Sequence, residues 1–115
     1  MNKALLHIEG LAVLLVSLYF YSIHDFSWIL FILLLLAPDL SMLGYVINIR
    51  TGTLVYNLFH TYVVPIGVVF IGILLDSDIA LAIGIIWVAH IGMDRMLGYG
   101  LKYQTDFKDT HLNRV

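Results

Sequence analysis

Four long apolar stretches take up almost the whole of this 115-residue chain, and they decide what it can fold into. They run from about Ala4 to Tyr21, Phe26 to Ile47, Thr53 to Leu75 and Ile79 to Leu101. Each is close to the length of roughly 20 residues that a helix needs to cross a hydrocarbon core. Between them lie only Ser22-Ile23-His24-Asp25, Asn48-Ile49-Arg50-Thr51-Gly52 and Asp76-Ser77-Asp78, and a polar tail runs from Lys102 to Val115. With 61% hydrophobic and 12% charged residues, the chain has too little polar material to wrap a water-soluble core. Tight connections make neighbouring helices antiparallel. The expected fold is therefore all-α, a single four-span domain over residues 1–115 built as an integral membrane up-down-up-down four-helix bundle.

Several function classes drop out at once. A net charge of −2 supplies no basic face, so nucleic acid is not an expected partner. Cysteine is absent, which removes disulfides, thiolate catalysis and thiolate-bound metals. The first apolar stretch is too long for a signal peptide and no small-residue cleavage site follows it. In the four-span arrangement Lys3, Arg50, Lys102, Lys108 and Arg114 all fall on one side, while the opposite loops carry His24, Asp25, Asp76 and Asp78. That bias predicts a cytoplasmic (inner) membrane protein with both termini cytoplasmic.

Ionisable residues inside the spans are the informative exception, because each costs a few kcal/mol or more in hydrocarbon and so tends to face the bundle interior. They are Glu9 in the first stretch, Asp39 in the second, His60 in the third, and His90, Asp94 and Arg95 in the fourth. Counted from the cytoplasmic ends at about 1.5 Å per residue, they lie at similar depths of roughly 8–16 Å. His90 and Asp94 are i,i+4 and share a helix face. Tyr56 and Asn57 lie one turn before His60, and Pro38 loosens the second helix just ahead of Asp39 and frees a backbone carbonyl.

Carboxylates and imidazoles converging from facing helices are the way bundle-core metal sites are made. Asp39, His60, His90 and Asp94 are the expected ligands, with His111 of the tail joining them if the tail folds back over the cytoplasmic mouth. Glu9 is a further ligand or a general base, and Arg95 a holder of an anionic group. Oxygen and nitrogen donors without sulfur suit one divalent ion of zinc, manganese or iron. This arrangement fits a metal-dependent enzyme, of hydrolase or oxidase type, acting on a lipid-soluble small molecule. Two other readings stay open. One is a small proton-coupled transporter working as a homodimer; the other is a structural or accessory subunit whose polar groups only hold helices together.

Ala37-Pro38-Asp39-Leu40-Ser41-Met42-Leu43-Gly44-Tyr45, Tyr56-Asn57-Leu58-Phe59-His60-Thr61-Tyr62 and the long block from His90 to Tyr103 resemble the signature blocks of a small bacterial membrane family, domain-of-unknown-function family 4260. Glu9-Gly10 and Phe107-Lys108-Asp109-Thr110-His111-Leu112 are similar to its first and last blocks. The resemblance spans essentially the whole chain; it implies a bacterial four-span protein and no particular activity. A narrower likeness, limited to Pro38-Asp39 and His90…Asp94, is to membrane-bound metal-dependent hydrolases. Their His-Arg-Gly-x-Thr-His-like block has no counterpart here.

Overall fold

A computed structural model of the protein describes residues 2–102 and 110–114. Six α-helices and one 3-10 helix follow in order: α1 (Asn2–Ile23), α2 (Trp28–Leu34), the 3-10 helix (Ala37–Val46), α3 (Ile49–Phe59), α4 (Val63–Leu74), α5 (Asp78–Leu97) and α6 (His111–Arg114). Phe107, Lys108 and Asp109, which carry one of the expected signature blocks, lie outside the described residues, as do Tyr103 and Val115.

Capping explains the helix starts. Ser27, Asn48 and Ser77 each present a side-chain oxygen to a backbone N–H three residues on, at Leu30, Thr51 and Ala80. Asp25 and Asp76 take positive φ in the turns just before two of these caps, which lets connections of a few residues reverse the chain. α5 stops at Gly98, whose φ of 98° closes a Schellman turn: Gly98 N–H donates to Arg95 O and Tyr99 N–H to Asp94 O.

Two of the four expected spans are not uninterrupted α-helices. The second is α2 continued by the 3-10 helix, and the switch falls at Pro38, which has no N–H to give and crowds the preceding turn. The third is α3 and α4, bent by 40° at His60–Tyr62. Trp28–Val46, α1 and α5 are each long and apolar enough to cross a membrane, and the bent pair makes a fourth if it counts as one span. The outward faces match that solvent. Val46 is 83% exposed and Ile32 72%, and most of the large apolar side chains of α1 and α4 are exposed too.

α5 is the central element. It packs against α1, α4 and α2, while α3 packs against the 3-10 helix. Glycines set the closest approaches. A Cβ at Gly10 of α1 would stand 2.7 Å from Gly92 O and still nearer the Met96 backbone; one at Gly84 of α5 would stand 2.8 Å from Val69 N of α4. These contacts also fix direction, since the start of α1 meets the end of α5 and the end of α4 meets the start of α5. At the far end of α1, Tyr21, Phe31, Ala82, Ile85, Ile86 and Ala89 form the apolar core, and the Tyr21 hydroxyl donates to Ser27 O.

Gly10 and Gly67 make a matched test. Gly10→Leu must push α1 off α5 and should cost at least about 1–3 kcal/mol, seen as a clear drop in detergent Tm. A Cβ at Gly67 meets nothing within 4 Å, so Gly67→Ala should be neutral or stabilise by up to about 1 kcal/mol.

Candidate metal centre

Helix breaks build the site. In the second span Asp39 N–H donates to Leu36 O, three residues back, rather than to Leu35 O. The 3-10 partner of Leu35 O would be the N–H that Pro38 lacks, so this carbonyl has no helical donor. The His90 ring takes it: Nδ1 lies 2.6 Å from Leu35 O. The end of α3 repeats the device. His60 N–H donates to Asn57 O, which releases Tyr56 O, and the His60 ring turns back so that its Nδ1 sits 2.9 Å from that oxygen. The next two carbonyls at the break are held from α5, Phe59 O by Trp87 Nε1 (2.7 Å) and His60 O by the Arg95 guanidinium (2.8 Å).

A carbonyl only accepts, so each Nδ1 carries the proton in the neutral ring and each Nε2 presents a lone pair. Both Nε2 atoms point at one spot. They lie 3.2 Å apart. Asp39 Oδ1 is 3.2 Å from each of them, and Asp94 Oδ2 is 3.1 Å from that of His90 and 3.5 Å from that of His60. All four ligand atoms fall within 4.8 Å of one another. Both imidazoles are fully buried and Asp94 nearly so; the Asp39 side chain, on the 3-10 helix, remains 35% exposed. Tyr56 lies flat on the His60 ring, with centroids 3.8 Å apart, and fixes its plane.

Four acceptors facing one point repel each other unless a cation or shared protons sit among them. A tetrahedral ion with bonds of about 2.05 Å holds its ligands about 3.3 Å apart. Five of the six separations match that edge. Two carboxylates and two neutral imidazoles sum to −2, which one divalent ion cancels inside a low-dielectric interior.

The structure thus brings together Asp39, His60, His90 and Asp94. Glu9 is not with them. α1 turns its Gly10 face onto α5, which leaves Glu9 about 100° round the helix on the exposed side. Depth along the helix was readable from the sequence; rotation about it was not. Arg95 also stands apart, buried and directed to the backbone oxygens of His60 and Tyr99. His111 lies in the part of the tail that returns to the end of α5. His111 N–H donates to Leu101 O, and its Nδ1 accepts from Leu101 N–H at 2.8 Å. The side chain of Asn57 clamps the next residue, its Nδ2 donating to Lys102 O and its Oδ1 accepting from Lys102 N–H. With its Nδ1 committed, His111 lines a neighbouring cavity with Glu9 and Arg95. His7, which spacing did not single out, joins α1 to α5 through Nδ1 and Met96 O at 2.7 Å.

Burial, and next the Arg95 charge, hold the His111 imidazole below its ordinary value of 6.5. Its neutral form is the one that accepts from Leu101. An unfolded chain binds a proton there near pH 6.5 and the folded chain does so only lower, so this contribution to stability is complete above that pH. It should fall away as pH drops from about 6.5 toward the folded value. NMR titration should place His111 below an exposed histidine, and His111→Ala should remove this share of the acid sensitivity.

A family model described as Domain of unknown function (DUF4260) matches residues 3–115. No curated protein and no solved structure matches the chain. The match runs through all four residues of the cluster and the elements that carry them. The chain belongs to the family Domain of unknown function (DUF4260).

Proposed function

We propose that this is an integral membrane metalloprotein in which Asp39, His60, His90 and Asp94 hold one divalent ion, zinc by preference, and that the centre hydrolyses a lipid-soluble substrate. One observation carries the metal reading: four acceptor atoms converge with separations of 3.1–3.5 Å in five of six pairs. Zinc fits better than manganese or iron because tetrahedral nitrogen and oxygen sets favour it, and the latter two commonly take more ligands.

The hydrolytic reading rests on asymmetry within the set. Zinc supplies Lewis acidity and lowers the pKa of a bound water to about 7. For that a ligand position must open. Asp39 suits the role, being the partly exposed member and carried on a 3-10 helix rather than a rigid α-helix. A cavity of about 220 Å³ is walled by apolar groups that include Leu34, Phe59, Ile86, Trp87 and Pro38, the residue that precedes Asp39. It offers room for the hydrocarbon part of a substrate one residue along the chain from Asp39. Glu9 has no part in this chemistry.

Membrane placement is supported by the three long apolar helices; in this proposal the bent pair is counted as a fourth span and the four run up-down-up-down. Lys3, Arg50 and Lys102 then share one side, so both termini are cytoplasmic in a bacterial inner membrane; a fluorescent protein fused after Val115 should report from the cytoplasm. A second reading, a purely structural metal staple, has its own support, since four protein ligands complete a tetrahedron.

Protein purified in detergent without chelator should contain about one zinc per chain. Chelation should lower Tm by ten degrees or so, and His90→Ala should abolish bound metal. Metal-free protein that melts identically with and without chelator contradicts the proposal. Cobalt substitution separates the two metal readings: a visible spectrum that shifts with added azide shows a position that opens, whereas an unresponsive spectrum favours the staple.

A further inference from the structure

Beside the metal centre, but separate from it, lies a larger cavity of about 630 Å³. Its polar walls are Glu9, Thr61, Tyr62, Arg95 and His111. Leu6, Ala12, Val13 and Leu101 supply apolar wall. The volume is that of a ligand site rather than a packing fault.

Two positive features open into it. Arg95 is only 8% exposed, and among the described residues no carboxylate lies within ion-pair distance of its guanidinium. Among the described residues two of its five N–H groups are spent, on His60 O and Tyr99 O. A buried cation without a counter-ion is costly, and an anion entering the cavity relieves that cost. The second feature is the start of α4. The helix begins at Val63, within the cavity wall, and no side chain caps it. Pro65 has no N–H, so the first turn has Val63 and Val64 as its donors, and Val63 is the one that lines the cavity, at the positive end of a 12-residue dipole. Broken membrane helices meet anionic ligand groups in this way.

The setting narrows the anion. A guanidinium fork beside a helix N-terminus suits a phosphate, which offers several oxygens in different directions. The apolar walls call for an apolar portion as well. The cavity is lined by Leu6 and Glu9 near the start of α1 and by Arg95 near the end of α5, close to where a headgroup layer would lie. Glu9 is exposed and negative, so it opposes the ligand charge and weakens binding. His111 is held neutral by burial and leaves the balance unchanged.

We infer that the cavity between α1, the start of α4 and Arg95 is a binding site for the phosphate group of an anionic amphiphile. The inference stands on this cavity alone and needs no metal.

Binding of dihexanoyl phosphatidic acid and of inorganic phosphate to the full chain in a nonionic detergent, followed by calorimetry with zinc content measured on the same samples, tests it. Saturable one-to-one binding of the short-chain lipid is expected. Inorganic phosphate binding equally well makes the phosphate group alone sufficient; lipid binding without it makes the apolar walls necessary. Glu9→Gln, at an exposed position, should tighten binding roughly three- to tenfold by removing an opposing charge. Arg95→Lys, which keeps the charge but loses the fork, should weaken it roughly tenfold. Arg95 also braces the α3 break, so Glu9→Gln is the arm that cannot be mistaken for misfolding. No saturable binding of either probe, or binding unmoved by both substitutions, overturns the inference. Zinc without phosphate binding rejects this site alone, and phosphate binding without zinc rejects the metal reading alone.

Discussion

Two imidazole nitrogens and two carboxylate oxygens meet in the middle of an apolar protein with their lone pairs directed at one another. Both imidazoles are fully buried and Asp94 nearly so, which leaves little water to relieve that repulsion. Either protons are drawn in to form imidazolium–carboxylate pairs, or a cation sits at the centre. A proton network needs no particular shape, because each bond is made separately. A four-coordinate ion demands near-equal separations between ligand pairs; five pairs lie at 3.1–3.5 Å, while the set as a whole extends to 4.8 Å, so an ion would draw the two carboxylates closer. A cluster of this size could hold an ion.

The breaks in the second and third spans follow from the same constraint. A regular helix satisfies its own carbonyls and has none to offer a ring nitrogen. Tightening at Pro38–Asp39 and at His60 releases Leu35 O and Tyr56 O, and each orients one histidine by binding the nitrogen that faces away from the site. Carbonyls left over at the second break are held by Trp87 and Arg95 of α5. α5 supplies two of the four candidate ligands and packs against three neighbouring helices. Close glycine contacts at Gly10, Gly84 and Gly92 hold it at fixed distance from α1 and α4. The polar centre and the small-residue seams thus form one design, since a ligand set with tolerances of a few tenths of an ångström needs a rigid frame.

Much of this was legible in the residues themselves. Apolar length gave four helical stretches, and the i,i+4 spacing of His90 and Asp94 put them on one face. Similar depth linked Asp39 and His60 to them. Pro38 signalled a released carbonyl, although its recipient, the ring of a histidine in another helix, is a tertiary fact. The bend at His60–Tyr62 did carry a sequence mark, one that apolar length alone passes over: Pro65 has no N–H for Thr61 O, four residues back, and its ring crowds that carbonyl, so a helix breaks there and restarts with Pro65 in its first turn. Glu9 and His111 went the other way. Both have ligand chemistry and suitable depth, yet rotation of α1 about its axis and the hydrogen bond of His111 to Leu101 place them around the neighbouring cavity. Helix rotation depends on which small residues meet, and no single-chain pattern reports that.

Zinc-edge X-ray absorption on the purified protein addresses the central claim most directly. The account predicts a four-coordinate zinc with two imidazole nitrogens and two carboxylate oxygens at about 2.0–2.1 Å, or three protein ligands and a water if Asp39 has yielded. The outer-shell scattering of two imidazole rings should be present in the unmodified protein, and His90→Ala should lose the zinc signal altogether. An absence of zinc, or a six-coordinate oxygen shell without imidazole scattering, would contradict it.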